Sequence, residues 1–323
     1  MMPEVHMTEE AFVRESLPKI HEEDCKFDRG RLLLVAGSYG MAGAVILSAR
    51  AALRTGVGYL TLLLPKSIYP LVTAAVPEAV CRIYDTDDPE KMREQFEAAL
   101  SKADAVAIGP GLGTLRGAVM DVILSYFSPE NGNTKEENGV FRKNKKLLID
   151  ADGLNALSEL GVPASVFPAL VSADLLLTPH EGEMARLLTR KDRIKKEERQ
   201  EVCLQAARMF QASILLKGKG TLIMEAPKGS LLKANKKDPE KFRIFQNPTG
   251  GPGLARAGSG DVLTGITGAL MAQGMDAFTA GVSGAYLHGL AGDLAARAYG
   301  VRSMLPSDVI EKLPEALSLV EKI

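Results

Sequence analysis

Arg31-Leu-Leu-Leu-Val-Ala36 runs into Gly37-Ser-Tyr-Gly-Met-Ala-Gly43, residues 44–55 follow, and Gly56 leads on to Tyr59-Leu-Thr-Leu-Leu-Leu64 and Pro65. The first apolar run is short and bounded by glycine, which predicts a strand buried on both faces. The middle segment is rich in small and apolar residues and is closed by Gly56, as a helix would be. The second apolar run stops at a proline, as a strand can. Strand–loop–helix–strand units of this kind build parallel sheets covered by helices.

The same alternation continues outward from this unit. Residues 79–84, 105–108, 146–150, 174–178 and 213–217 read as strands. Helices are predicted over 89–100, 114–127, 181–188 and 195–211. Residues 221–225, 230–234 and 242–246 predict shorter antiparallel strands, and 261–300 predicts two helices rich in small residues. A last helix follows Pro306. The expected fold class is α/β: a mostly parallel central sheet with a few antiparallel strands, sandwiched between two helical layers. Residues 1–25 form a polar lead and 26–323 a single domain. Residues 128–145, rich in Asn, Glu and Lys, read as a surface insertion within it.

Composition narrows the function. A chain of 323 residues buries a large core, and 46% hydrophobic with 24% charged residues is ordinary for a globular protein. A net charge of −1 favours neither nucleic acid nor a membrane surface, and the absence of Trp argues against a stacking platform for bases. Cys25, Cys81 and Cys203 are scattered and odd in number, which predicts reduced thiols. His6, His21, His180 and His288 have no metal-ligand spacing. The N-terminus lacks the apolar core of a signal peptide, so a cytoplasmic location is expected.

Chemistry concentrates in Asn247-Pro-Thr-Gly-Gly-Pro-Gly-Leu-Ala-Arg-Ala-Gly-Ser-Gly-Asp261. Val262, Leu263, Ile266, Ala269 and Leu270 then recur at helical spacing, so Gly258-Ser259-Gly260 sits at a helix N-terminus. Bare N–H groups and the helix dipole attract an anion there. A carboxylate at that place repels phosphate but can take a proton from a hydroxyl that attacks one. The pattern points to phosphoryl transfer to an alcohol, with Asp261 as base.

Five further loops follow predicted strand ends, along the edge where such sheets bind ligands. Residues 37–43 read equally as a tight turn or a ligand contact; no dinucleotide or P-loop frame is present. Gly109-Pro-Gly-Leu-Gly113 exposes backbone N–H groups and predicts ligand contact. Asp150 and Asp152 are candidates for chemistry or metal, although Asp152 would also cap a helix over 153–157. Thr178-Pro-His-Glu181 predicts a capping box that leaves His180 free for the crevice. Lys217-Gly-Lys-Gly-Thr221 is a hairpin turn or a cationic loop beside a nucleotide phosphate. The charge run 191–199 reads as a solvated face. The small-residue helix 277–299 predicts close packing within the chain, or against a second copy.

Taken together these motifs resemble the ribokinase-like superfamily, through Gly258-Ser-Gly-Asp261, and within it the nucleotide-dependent NAD(P)H-hydrate dehydratases. The resemblance spans about residues 26 to 317 and rests on six motifs in order: the five at 109–113, 150–155, 178–181, 217–221 and 258–261, and the run 247–253. Gly251 and Leu254 depart from it, standing where many relatives have Asn and Met. It implies a ribokinase-like three-layer sandwich and an ADP- or ATP-dependent hydro-lyase with Mg2+ that returns the S-form of hydrated NADH or NADPH to the reduced dinucleotide. Asp261 would be the base, with Gly258, Ser259 and Gly260 stabilising the transferring phosphoryl. Ala44, Gly111, Gly113, His180 and Asp261 would bind the hydrated dinucleotide. Lys217, Gly218, Lys219, Gly220, Thr221 and Gly260 would bind the adenine nucleotide. The resemblance also implies a homo-oligomer, a tetramer, without nucleic-acid or membrane partners. The epimerase domain often fused in front is not expected here. The alternative is a ribokinase-like kinase for a hydroxymethylpyrimidine, a thiazole alcohol or a sugar.

Overall fold

The computed structural model describes residues 2–127, 145–161, 174–227 and 242–322. Ten strands form one sheet in the order β1-β10-β9-β8-β7-β6-β5-β2-β3-β4. They are β1 (Val5–Met7), β2 (Arg31–Val35), β3 (Tyr59–Pro65), β4 (Val80–Tyr84), β5 (Ala105–Ile108), β6 (Lys146–Ile149), β7 (Asp174–Leu177), β8 (Ser213–Leu216), β9 (Leu222–Met224) and β10 (Ile244–Gln246). From β4 to β8 every pairing is parallel; β9 pairs antiparallel with both β8 and β10. The strands expected over 221–225 and 242–246 are therefore present. The strand expected over 230–234 and nearly all of the 128–145 insertion lie outside the described residues.

Alternation along the central strands divides two cores. Leu32 and Leu34 of β2 face one helical layer, and Leu33 and Val35 face the other. The first layer holds helices Ala42–Arg54, Ser259–Ala272, Ala277–Tyr299 and Pro306–Glu321. The second holds Pro89–Leu100, Arg116–Phe127, Ala151–Glu159 and Arg199–Phe210. No helix among the described residues is long and apolar enough to cross a membrane.

The polar lead contains elements that its sequence did not announce. Val5–Met7 pairs parallel with β10, and Val13 of helix Glu10–Ser16 is fully buried. A three-residue strand and a seven-residue helix are too short to show a period.

Chain order reverses between β2 and β5, because β2, β3 and β4 run outward before β5 returns beside β2. The loops after β2 and β5 thus meet at the switch point, where Gly37 N–H donates to Pro110 O at 2.8 Å. The helix that starts at Ser259 lies under this edge because Gly265 lets it touch the helix Ala42–Arg54. A Cβ on Gly265 would stand 2.1 Å from the carbonyl oxygen of Ser48. Gly265→Ala should therefore push the two helices apart and lower the unfolding free energy by roughly 1–3 kcal/mol; urea denaturation followed by circular dichroism would measure the loss.

Candidate active site

One cavity of about 880 Å3 opens beside the ends of β6, β7 and β8. Its walls include Asp150, Ala151, His180, Glu183, residues 217–221, residues 249–252, residues 258–261 and His288. The floor is a buried ion pair. Asp150, only 1% exposed, accepts from Lys217 Nζ at 2.6 Å through Oδ1 and from Thr264 Oγ1 at 2.6 Å through Oδ2. Lys217 Nζ also lies 3.8 Å from Glu183 Oε2. Burial works against the ammonium, but the carboxylates of Asp150, Glu183 and Asp261 outweigh it and raise its pKa.

Helix Ser259–Ala272 begins above this floor. Gly258 occupies the N-cap position in the left-handed region and no side chain caps the helix; Ser259 N–H donates to Arg256 O at 3.2 Å, and the N–H groups of Gly260 and Asp261 donate to nothing among the described residues. Asp261, in the first turn, lines the cavity. Among the described residues no hydrogen bond or ion pair engages its carboxylate. Burial, then the charge of Asp150, and more weakly that of Asp152, raise its pKa to about 6 against the pull of Lys217. A base poised there is largely ionised at neutral pH yet still able to hold a proton.

Beside this helix start stands a buried imidazole. His288 Nε2 lies 3.2 Å from Ser259 Oγ. Burial, reinforced by Lys217, lowers its pKa to about 4, so it is neutral at physiological pH. Sequence did not single out His288, a lone histidine within a helix otherwise rich in small residues.

His180 lines the cavity as expected, but its role at the helix start differs. The capping box expected from Thr178 and Glu181 is two residues further on. His180 is the N-cap of helix Glu181–Leu187, and its Nδ1 accepts from Gly182 N–H (3.0 Å) and Glu183 N–H (3.2 Å). Glu183 Oε2 accepts from His180 N–H at 2.8 Å and completes the box. Thr178 instead donates to Ile149 O. Histidine is an unusual cap, and the Thr-x-x-Glu spacing concealed it.

Asp152 also differs from its reading as a cap. The N-cap of helix Ala151–Glu159 is Asp150, whose side chain makes no capping bond. Ala151 sits at φ +46°, and this turn sends the two carboxylates apart. Asp150 reaches Lys217 and Thr264; Asp152 Oδ2 accepts from Gly113 N–H at 2.8 Å. Backbone strain of this kind is held in place by its surroundings.

The structure brings Asp261, Gly258, Ser259, Gly260, His180, Lys217, Gly218, Lys219, Gly220 and Thr221 to one cavity. Ala44, Gly111 and Gly113 gather at the switch point on the same sheet edge but outside the cavity walls. The end of the 191–199 charge run is not a solvated face: Arg199 is 7% exposed and bonds to the loop after β8. Asn247 is a brace: its Nδ2 donates to Ala285 O at 3.1 Å and to Thr249 O at 3.1 Å. The small-residue helix Ala277–Tyr299 packs within the chain. A Cβ on Gly289 would stand 2.2 Å from Thr249 Oγ1. Among the described residues no group of three His, Cys, Asp or Glu could hold a metal ion.

Comparison with known proteins agrees with this geometry. The bifunctional NAD(P)H-hydrate repair enzyme Nnr of Moorella thermoacetica is 36% identical over 97% of this chain. The chain spans 54% of that protein, about half the length of the bifunctional relatives it matches. The ADP-dependent (S)-NAD(P)H-hydrate dehydratase of Neisseria meningitidis is 34% identical over 88% of this chain and 83% of its own length. The ADP/ATP-dependent NAD(P)H-hydrate dehydratase of Bacillus subtilis, co-crystallised with ATP and Mg2+, superposes with a TM-score of 0.73 at 26% identity, covering 98% of this chain and 99% of that one. A ribokinase-like superfamily protein of Enterococcus faecalis superposes at 0.75 and 23% identity, covering 99% of this chain and 97% of that one, a likeness of fold. Residues 32–315 match the family described as NAD(P)H-hydrate dehydratase, and the chain belongs to that family.

Proposed function

We propose that this chain uses ADP or ATP to return the S-form of hydrated NADH or NADPH to the reduced dinucleotide. The observation that carries the reading is the unengaged Asp261 carboxylate, with its pKa near 6, at the open N-terminus of helix Ser259–Ala272. Asp261 takes the proton of the ring hydroxyl as its oxygen attacks the terminal phosphoryl group. The bond from that phosphorus to the departing nucleotide breaks as the new one forms. Open N–H groups at the helix start stabilise the charge on the phosphoryl oxygens. Phosphate then leaves the ring with the bonding pair of the C–O bond, a neighbouring carbon loses its proton, and the double bond returns. Hydroxide is a poor leaving group and phosphate a good one, so the first step makes the second easy.

Residues 217–221 are read as the nucleotide loop, with Lys217 as the cation beside phosphate and Gly260 at the junction of the two ligands. A Cβ on Gly260 would lie 3.6 Å from Lys217 Nζ, so the main chain of Gly260 passes close beside the ammonium. His180 is read as a contact to the hydrated dinucleotide, whose remainder would extend toward Ala44, Gly111 and Gly113 on the same edge. Mg2+ would come with the nucleotide and neutralise phosphate charge. Both oxygens of Asp150 are engaged, by Lys217 and Thr264, so the residues suit a cation held mainly by phosphate oxygens and water. The single domain expected over 26–323 would take in the lead as well, since Val5–Met7 pairs with β10 and Val13 is buried; a cytoplasmic location and a homo-oligomer complete the proposal.

The direct test is incubation with S-hydrated NADH and each nucleotide, following recovery of the near-ultraviolet absorbance of the reduced ring. Accumulation of a stable phosphoester on another alcohol, with no recovery, would mark an alcohol kinase instead.

Loss of the base should cost about 10²–10⁴-fold in turnover, measured for Asp261→Asn by the same assay. The variant should also be more stable than the wild type. A carboxyl whose pKa is raised on folding destabilises the native state above that pKa, and the cost disappears as pH falls toward the unfolded value. Asparagine removes it, so at pH 7 a gain on the order of 1–3 kcal/mol is expected in denaturant titration. For the wild type, kcat/KM should fall as pH drops through about 6, tenfold per unit below it, in a pH–rate profile. Lys217→Met leaves Asp150 buried without its cation, and thermal unfolding should report a loss of about 3–5 kcal/mol, partly regained by adding Asp150→Asn.

A further inference from the structure

The guanidinium of Arg199 is buried at the first residue of helix Arg199–Phe210, where the helix dipole and the lack of water both disfavour a cation. It is held there by main-chain oxygens of the last residue of β8 and of the loop after it. Nη1 donates to Lys219 O at 2.8 Å and Gly220 O at 3.0 Å, and Nη2 donates to Leu216 O at 3.2 Å. Nε lies 3.3 Å from Glu181 Oε1, beside the His180 cap. One planar group thus grips four carbonyls, of Leu216 at the end of β8 and of Lys217, Lys219 and Gly220 in the loop after it, and pairs with one carboxylate of the neighbouring helix, which a lysine ammonium could not do.

In a trans peptide the C=O of one residue and the N–H of the next point in opposite directions. Pinning Lys219 O and Gly220 O toward Arg199 therefore turns the N–H groups of Gly220 and Thr221 the other way. Both residues line the cavity, and neither N–H donates to any group among the described residues. Open N–H groups on successive residues make an anion-binding concavity.

We infer that Arg199 is a positioning residue for the nucleotide, acting from behind the loop: it presents the N–H groups of Gly220 and Thr221 to a phosphate of ADP or ATP. This rests on the reading of residues 217–221 as the nucleotide loop. Arg199 touches neither ligand, so its removal weakens use of the nucleotide and spares the hydrated dinucleotide.

The test is steady-state kinetics with each substrate varied in turn. Arg199→Lys keeps the charge but loses the fork, and should raise KM for ADP or ATP about tenfold or more. KM for hydrated NADH, and kcat at saturation, should stay within about twofold. Methylguanidinium added to Arg199→Ala should recover much of the nucleotide KM. An unchanged nucleotide KM in the lysine variant, or an equal loss for both substrates, overturns the proposal. Amide hydrogen exchange on the wild-type protein needs no variant to fold. The amides of Gly220 and Thr221 should exchange freely alone and slow at least tenfold with saturating ADP, and no slowing overturns the proposal. Wild-type turnover without any nucleotide would defeat the functional reading itself, which these comparisons keep separate.

Discussion

The contact between Lys217 and Asp150 organises the site. A carboxylate 1% exposed cannot be left alone, and its two oxygens are divided between an ammonium from the end of β8 and a hydroxyl from helix Ser259–Ala272. Three segments far apart in sequence are joined at one carboxyl group. The glycine turn at 258–260 is positioned above it, and so is Asp261. The same pair sets the local field: Asp150 helps to push the Asp261 pKa up, while Lys217 helps to hold the His288 pKa down. Burial is the larger cause for both, and together with the pair it moves two titratable groups of one cavity in opposite directions, a carboxylate toward neutrality and an imidazole away from charge.

Much of the fold was legible because its strands are buried on both faces. Runs such as Leu32–Leu34 and Leu62–Leu64 need no partner to be recognised as interior, and the glycines that follow β2 and β5 mark the sheet edge where ligands bind. The helix at Ser259 was equally plain, since its apolar period begins where the glycines stop. Elements in the polar lead were not, because strand β1 depends on β10, more than two hundred residues away. Local sequence carries no trace of such a pairing.

Within the site, residue types were easier to foresee than their partners. The place of Asp261 at the helix start, beside the cavity, could be read from the sequence alone. His180 was placed in the crevice correctly, yet its imidazole proved to be the cap, a role that the Thr-x-x-Glu spacing seemed to fill. Arg199 was hidden among lysines and glutamates whose charges do face water, and only the fold distinguishes it, because the carbonyls it grips lie seventeen or more residues downstream. Asp150 and Asp152, two residues apart, look alike in sequence and are separated by the left-handed turn at Ala151.

One wall of the cavity is main chain: residues 249–251 lie directly on the helix Ala277–Tyr299, with Gly289 against Thr249 and Gly292 against Leu254. Apart from Thr249, whose hydroxyl is bonded to Asn247 Oδ1 and Tyr286 O, this surface has no rotamers to exchange. Its outline is therefore fixed on the timescale on which side chains reorient, whereas the lining residues Lys219, Arg256 and His180 are exposed and can move. The aperture of the site is thus asymmetric, a fixed jamb on the helical side and a deformable one on the loop side.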